Sequence, residues 1–359
     1  MKRFNQIAAN CLAVLFVMAA CSMADAQAPA PDAAWQGARL AFVGRVVKDL
    51  DRSVAFYKMI GFTQDPQANP AWRTDPVIEG LYGVKGFTTR MAKMYVVNPD
   101  SGQHFVVYLR EVKGIKRTNR SAHTPWTPGA THFGLVVADA DQLWANLQAA
   151  GLLHARSWGG KLIAPPGQTK GMLAYITDPD GLDIEIINQR PATPAQNGRP
   201  AQPAWLPGVN HMGLVILDAD KGKAFYAGTL GGIWPTTASP WLKGDFYDSA
   251  VGGHGNVLRF FNVSFPQEIA PTLHMNLELV EFQNRKTAVP PTKITDMGVG
   301  YIGLQVANLD KALPQVLAAG ATLVSKPGIV TMRSGTREVM VRDPDTGVFL
   351  ELFDEPKTK

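Results

Sequence analysis

His132-Phe133-Gly134-Leu135-Val136-Val137-Ala138-Asp139-Ala140-Asp141 decides how the rest of this 359-residue chain is read. His211-Met212-Gly213-Leu214-Val215-Ile216-Leu217-Asp218-Ala219-Asp220 repeats it closely. The same frame fits residues 42–51 and 301–310, with Phe42 and Gly44, or Tyr301 and Gly303, in the places of His and Gly. An apolar run followed by an acid or amide reads as a strand leading into a helix. Four copies at a spacing of about 80–90 residues make the chain a tandem repeat.

Each copy continues in the same way. In the first, Val54, Phe56, Tyr57 and Ile60 form a helical stripe, a short helix follows near 77–82, and strands at 91–97 and 104–109 flank the turn Asn98-Pro99-Asp100-Ser101-Gly102. The second has a helix at 141–151 and strands at 172–177 and 183–187 around Asp178-Pro179-Asp180-Gly181, which reads as a turn and nothing more. The third has a helix at 221–230, a Gly-rich excursion at 251–256, and strands at 257–261 and 274–282. The fourth ends in Asp343-Pro344-Asp345-Thr346-Gly347 and a strand at 349–353. Units one and three share Ala-Phe-Tyr (Ala55-Phe56-Tyr57, Ala224-Phe225-Tyr226), while units two and four close the helix with Ala-Ala-Gly (Ala149-Ala150-Gly151, Ala318-Ala319-Gly320). This A-B-A-B order points to duplication of a two-unit ancestor. It divides the chain into modules at 38–115, 128–189, 208–284 and 297–356, with a Pro-rich linker at 190–207.

Apolar content of 46% with 18% charged residues is that of a globular protein. Removing Lys2 and Arg3 from the net charge of +5 leaves +3, scattered over the chain, which argues against nucleic acid as a partner. Lys116-Arg117-Thr118-Asn119-Arg120 reads as a solvated linker. The N-terminus carries the parts of an export signal: Lys2 and Arg3, an apolar stretch over 7–20, and small residues after it. Cleavage after Ala24-Asp25-Ala26 gives a signal of 1–26 and a tether at 27–37. Met18-Ala19-Ala20-Cys21 supports the alternative, a signal of 1–20 with a lipidated Cys21. Either way the expected location is the periplasm or a lipid-anchored position in a bacterium, with no membrane-spanning segment. Cys11 and Cys21 are the only cysteines, so the remainder of the chain has no thiol for disulfides, metal or nucleophilic chemistry.

The His-x-Gly-Leu-Val openings, the Ala-Phe-Tyr helices and the closing strands with Glu185 and Glu351 resemble the vicinal-oxygen-chelate superfamily of glyoxalases, bleomycin-resistance proteins and extradiol dioxygenases. The resemblance spans about residues 38–355. It implies an α+β fold in which four βαβββ modules pair into two half-open mixed β-barrels around a divalent metal ion. It also implies ligands from the first position of strand one and from the last strand of each module. Those positions hold Phe42 and Tyr108, His132 and Glu185, His211 and Glu278, and Tyr301 and Glu351.

Strand alternation gives this a physical footing. Phe133, Leu135 and Val137 form an apolar face, while His132, Gly134 and Val136 share the other, with Gly134 leaving room for a ligand. Glu185 between Ile184 and Ile186, and Glu278 beside Val280, repeat the arrangement. The alternative reading of each His is a hydrogen-bonded structural residue, and of each Glu a solvated one. The metal candidates are His132, Glu185, His211 and Glu278, and the ion would be Zn, Ni, Co, Mn or Fe(II). The A-B-A-B order and the linker favour sheets built from neighbouring modules, one with two and three with four. The ligand distribution instead favours a site shared by modules two and three.

Other residues rank lower: His274 as a neighbour of Glu278, His104 in the first module, and Trp158, Trp234, Trp241 and Phe246 as loop anchors or pocket walls. Gly252-Gly253-His254-Gly255 lacks the Lys and helix start of a phosphate loop. The resemblance implies a metal-dependent lyase or isomerase of the glyoxalase or epimerase type acting on a small substrate with vicinal oxygens, with Glu185 or Glu278 as the base. Two alternatives stay open: an extradiol-type dioxygenase, and a binding protein of the bleomycin-resistance type without catalysis.

Overall fold

The computed structural model describes residues 37–66, 71–97, 102, 104–164, 173–192, 194–195, 204–265, 275–285 and 287–355, except for the Trp158 side chain. The segment expected to be an export signal, Cys21, the turn at 98–101 and His274 lie outside the described residues. Module one contains β1 (Ala38–Val47), α1 (Leu50–Met59), β2 (Thr63–Gln64), α2 (Pro76–Tyr82), β3 (Thr88–Val97) and β4 (His104–Lys113). Module two contains β5 (Thr131–Val137), α3 (Ala140–Ala149), β6 (Leu173–Thr177) and β7 (Asp183–Asn188). Module three contains β8 (Gly208–Ile216), α4 (Ala219–Gly222) continued by a π-helical stretch over Lys223–Thr229, β9 (Leu242–Lys243), α5 (Asp245–Val251), β10 (Val257–Val263) and β11 (Asn276–Phe282). Module four contains β12 (Gly300–Val306), α6 (Leu309–Ala318), β13 (Thr322–Leu323), β14 (Val330–Thr331), β15 (Arg337–Arg342) and β16 (Phe349–Asp354).

The acid or amide that closes each repeat is a helix N-cap. Asp49, Asp139, Asp218 and Asn308 are extended, and their side chains accept hydrogen bonds from first-turn N–H groups. The Gly-rich excursion near 251 terminates a helix the sequence reading missed. Gly252 ends α5 at φ +78°, where a Cβ would stand 2.1 Å from the Arg156 carbonyl oxygen.

Among the described residues the strands form two sheets. A nine-stranded sheet runs β13-β15-β16-β12-β1-β4-β3-β2, with β14 beside β15. A seven-stranded one runs β6-β7-β5-β8-β11-β10-β9. Modules one and four therefore share one sheet, and modules two and three the other. This overturns the expectation of sheets from neighbouring modules. In each sheet the two opening strands meet antiparallel at the centre, β1 on β12 and β5 on β8.

The A-B relation legible in the sequence corresponds to a different contact. The turn at Asp178 and Asp180 of module two docks on module one: Asp180 accepts from Lys48 N (2.7 Å) and Ser53 Oγ (2.9 Å), and Asp178 accepts from the Tyr57 hydroxyl (3.2 Å). In module four, Asp345 accepts from Leu217 N of module three at 3.0 Å, and Asp343 stands near the buried Tyr226 of that module, where its charge adds to burial in raising the phenol. The Tyr of each Ala-Phe-Tyr helix thus meets an Asp of the next module, so these turns are docking pins as well as turns. Residues 116–120 are exposed or half-buried, as expected of a solvated linker, but they are also tied down. Asn119 bridges to Met297, and buried Asp296 accepts from Thr118 N at 2.9 Å, so the two crossover segments hold each other.

One apolar core lies between the sheets. Phe105 and Phe133, from different sheets, approach to 5.3 Å between ring centroids, and Phe62 and Phe133 to 5.9 Å. Leu135, Ile184, Ile186, Leu214, Leu279, Leu304 and Leu350 join them. Strand alternation then forces His132, Glu185, His211 and Glu278 onto the opposite, concave face of the seven-stranded sheet. No helix among the described residues is long and apolar enough to cross a membrane.

Candidate metal centre

The antiparallel register of β5 on β8 places His132 opposite Gly213 and Gly134 opposite His211. A Cβ on Gly213 would stand 1.8 Å from His132 Cε1, and one on Gly134 would stand 2.2 Å from His211 Cε1. Each glycine therefore makes room for the partner module's imidazole, not for a bound ligand as the sequence suggested. The parallel neighbours set the carboxylates beside these strands: Glu185 on β7 lies opposite Gly134, and Glu278 on β11 opposite Gly213.

All four candidate side chains come together. His132 Nε2 and His211 Nε2 are 3.2 Å apart. Glu278 Oε2 lies 3.3 Å from His132 Nε2 and 3.9 Å from His211 Nε2, and Glu185 Oε2 lies 3.4 Å from His211 Nε2. Ligand atoms of His132, Glu185 and His211 all fall within 4.8 Å of one another. Every one of the four residues is buried.

Hydrogen bonding fixes the direction of the lone pairs. His211 Nδ1 donates to Asn210 Oδ1 at 2.9 Å, which turns an unprotonated Nε2 inward in the neutral ring. Opposite it, Glu185 Oε2 is buried with no hydrogen-bond partner. Two acceptor lone pairs facing each other in a dry interior repel unless a cation or proton lies between them. Two imidazoles and two carboxylates around one point form a donor set of the type that holds a divalent transition ion.

The titration behaviour follows from the same crowding. Burial, reinforced by the Glu278 charge, pushes Glu185 up to about 7. Burial lowers His211 to about 4, and His132 nearby adds to that. Burial also opposes charge on His132, but its hydrogen bond to Glu278 and the charges of Glu278, Glu185 and Asp183 together outweigh this and raise it. Glu278, although buried, is held below the ordinary carboxylate range by the His211 and His132 rings.

Sequence reasoning missed two supporting groups. Tyr175 pairs with Glu185 across the β6–β7 hairpin, and its phenol is near enough to that carboxylate to favour its ionised form. Counting back from the Asp178-Pro179-Asp180-Gly181 turn gives this pairing. Asn210 directly precedes His211 and carried no signal of its own. At the rim, buried Asp183 accepts from His123 at 3.1 Å and pairs with Arg156, which hold it ionised against the effect of burial.

The lower-ranked residues lie elsewhere. His104 is exposed and stacks on Tyr95 at 4.6 Å. Trp234 packs on Phe261 at 4.8 Å in the core, Trp241 lies under Arg259 at 4.4 Å, and Phe246 joins the apolar cluster with Val215, Phe260 and Val280.

A family model described as Glyoxalase/Bleomycin resistance protein/Dioxygenase superfamily matches residues 39–186 and 208–352. Among solved structures, a mutant of glyoxalase I from Zea mays is similar with TM-score 0.55 and 20% identity, covering 88% of this chain and 92% of that one. Glyoxalase I from Zea mays itself aligns with TM-score 0.51 and 20% identity, over 88% of this chain and 92% of that chain. These likenesses concern the fold. No curated protein matches the chain.

Proposed function

Because the chain belongs to the glyoxalase/bleomycin resistance protein/dioxygenase superfamily, we propose that modules two and three hold a divalent metal ion and catalyse a lyase or isomerase reaction on a small substrate with vicinal oxygens. The observation that carries this is the partnerless Glu185 Oε2 facing His211 Nε2 at 3.4 Å. His132, Glu185, His211 and Glu278 would hold the ion. Bound there, it would supply Lewis-acid stabilisation of charge on two adjacent substrate oxygens.

The chain's own groups supply the proton chemistry. Glu185, a buried carboxylate with one oxygen free of hydrogen bonds at the centre, is suited to take a proton from the carbon beside a carbonyl and return it to the neighbouring carbon, so the conversion is redox-neutral. Tyr175, paired with Glu185 across the hairpin, flanks that carboxyl. Glu278, kept ionised, balances the histidine charge. Val215, Phe260, Val280 and Phe282 form an apolar wall that excludes water.

Elemental analysis of the mature protein beside His132→Ala and His211→Ala is the first test. One ion per chain, lost alike in both variants, is expected; unequal loss would separate the two histidines. Deuterium exchange from heavy water into an α-hydroxy ketone, followed by NMR, reads the proton transfer. Exchange that survives Glu185→Gln would remove the base assigned here.

A second reading has its own support, since His132, His211 and Glu185 are also the two imidazoles and one carboxylate of a non-haem Fe(II) centre. Oxygen uptake with catechols distinguishes it. A bound ion without either activity would leave a binding protein. We also propose export, on the strength of the N-terminal charge and apolar stretch. N-terminal analysis of the mature chain should find a start after Ala26 or a lipidated Cys21, and an intact Met1 would refute processing.

A further inference from the structure

In the nine-stranded sheet Phe42 lies opposite Gly303 and Tyr301 opposite Gly44, so two aromatic rings occupy the places the histidines take in the other sheet. Behind them on β4 is Arg110, only 6% exposed. Its Nη2 points at Met91 Sδ (3.2 Å), and its guanidinium lies over the Tyr82 ring at 5.5 Å. Burial opposes its charge, which the phenol oxygens of Tyr82 and Tyr301 and the Glu351 carboxyl favour, and Nε and Nη1 make no hydrogen bond. A buried guanidinium with two idle N–H groups is costly unless an acceptor arrives.

The approach to it is graded. Along this face of β4, His104 is exposed, Val106 and Tyr108 are half-buried, and Arg110 is buried. Phe42 meets Tyr108 edge-on at 4.9 Å and stacks with Phe353 at 5.7 Å, giving a wall of rings beside that path. Among the described residues no acid lies within ion-pair distance of Arg110, although Glu351 and Glu338 are near enough to feel its charge. Lys93 pairs with Asp65 at 3.0 Å. Burial pushes Glu338 up to about 7 and Glu351 well above its ordinary value, which favours their neutral forms.

We propose that the barrel of modules one and four is a second small-molecule site, independent of any metal ion, that takes an organic carboxylate on Arg110 with its flat apolar body against Phe42, Tyr108 and Phe353. A planar guanidinium fork presenting free N–H donors matches a carboxylate in shape and charge. The inference does not rest on the metal-centre reading.

Titration calorimetry of the mature chain with benzoate and with benzamide tests it. Benzoate is expected to bind at least about tenfold more tightly than benzamide, to keep its affinity within about twofold in His132→Ala, and to lose about tenfold or more in Arg110→Met. Absence of benzoate binding, equal binding of the amide, or an unaffected Arg110→Met overturns the proposal. So does a loss of binding confined to His132→Ala, which would move the site to the other barrel. Should Arg110→Met fail to fold, Glu338→Gln decides. Removing the half-buried acid at pH 8 should tighten benzoate by about threefold or more, and unchanged affinity counts against the site.

Discussion

The two barrels share one backbone solution and differ in what fills it. In both, the opening strands of two modules meet antiparallel, with the bulky residue of one opposite the glycine of the other. In modules two and three the paired positions hold His132 and His211, with Glu185 and Glu278 beside them. In modules one and four they hold Phe42 and Tyr301, and Tyr108 replaces one carboxylate. Glu351 remains, now beside Arg110 rather than an imidazole. The glycines are thus a property of the fold, required wherever two rings cross the pseudo-symmetric centre. The histidines are a property of one site.

The largest contrast should appear in metal uptake. His211→Ala should weaken divalent-ion affinity by at least about 100-fold, beyond the 10–100-fold usual for an outer-shell loss, while Tyr301→Phe leaves it unchanged. Competition with a metallochromic chelator measures both. Parallel loss in the two variants would erase the distinction between the barrels.

Next come the glycines, where the barrels should behave alike in stability and unlike in chemistry. Gly213→Ala and Gly303→Ala each place a Cβ inside a buried ring, at 1.8 Å from His132 and 2.3 Å from Phe42. Each should cost about 1–3 kcal/mol by urea unfolding. Only Gly213→Ala should also lose metal. A Gly303→Ala variant that lost metal too would show the barrels to be coupled.

pH sharpens the comparison further. The fold raises Glu185 from 4.5 to about 7 and so favours its protonated form. In metal-free protein that stabilisation is complete below about pH 4.5 and lost as pH rises through 7, on the order of 1–3 kcal/mol. His211, lowered to about 4, acts in the opposite sense, and its contribution grows as pH rises from 4 to 6.5. Glu185→Gln should therefore leave a midpoint that falls less with rising pH than that of the wild type. Glu338, raised to about 7 in the other barrel, should keep its own loss in that variant. A wild-type curve identical to that of Glu185→Gln would refute the assignment.

The smallest effect expected is in the docking pins. Tyr57→Phe leaves buried Asp178 short of a donor and should cost about 1–2 kcal/mol in thermal unfolding, while Tyr226→Phe removes a hydroxyl that makes no hydrogen bond and should cost less. Equal costs would show the two junctions to be bonded alike.

Much of this was legible in the chain itself. The alternation of Phe133 and Leu135 with His132 and Gly134, the caps at Asp49, Asp139, Asp218 and Asn308, and the identity of the four candidate ligands follow from periodicity and repeat alignment. Tyr175 was readable by hairpin counting and was passed over. The role of Arg110 had no signal, because a lone Arg on a strand looks the same whether its head group reaches water or a closed barrel.

Sequence alone determined the repeat, the two faces of every strand and which side chains carry chemistry, because side-chain direction is local. Which modules share a sheet was decided only in three dimensions. The glycine-opposite-ring fit is equally good for any pair of modules, so the motif could not choose. The choice appears in contacts distant in sequence: Asp178 and Asp180 on module one, Asp343 and Asp345 on module three, and the crossover held by Asp296. Those contacts set neighbouring modules back to back, which leaves modules two and three face to face and brings His132 and His211 within 3.2 Å.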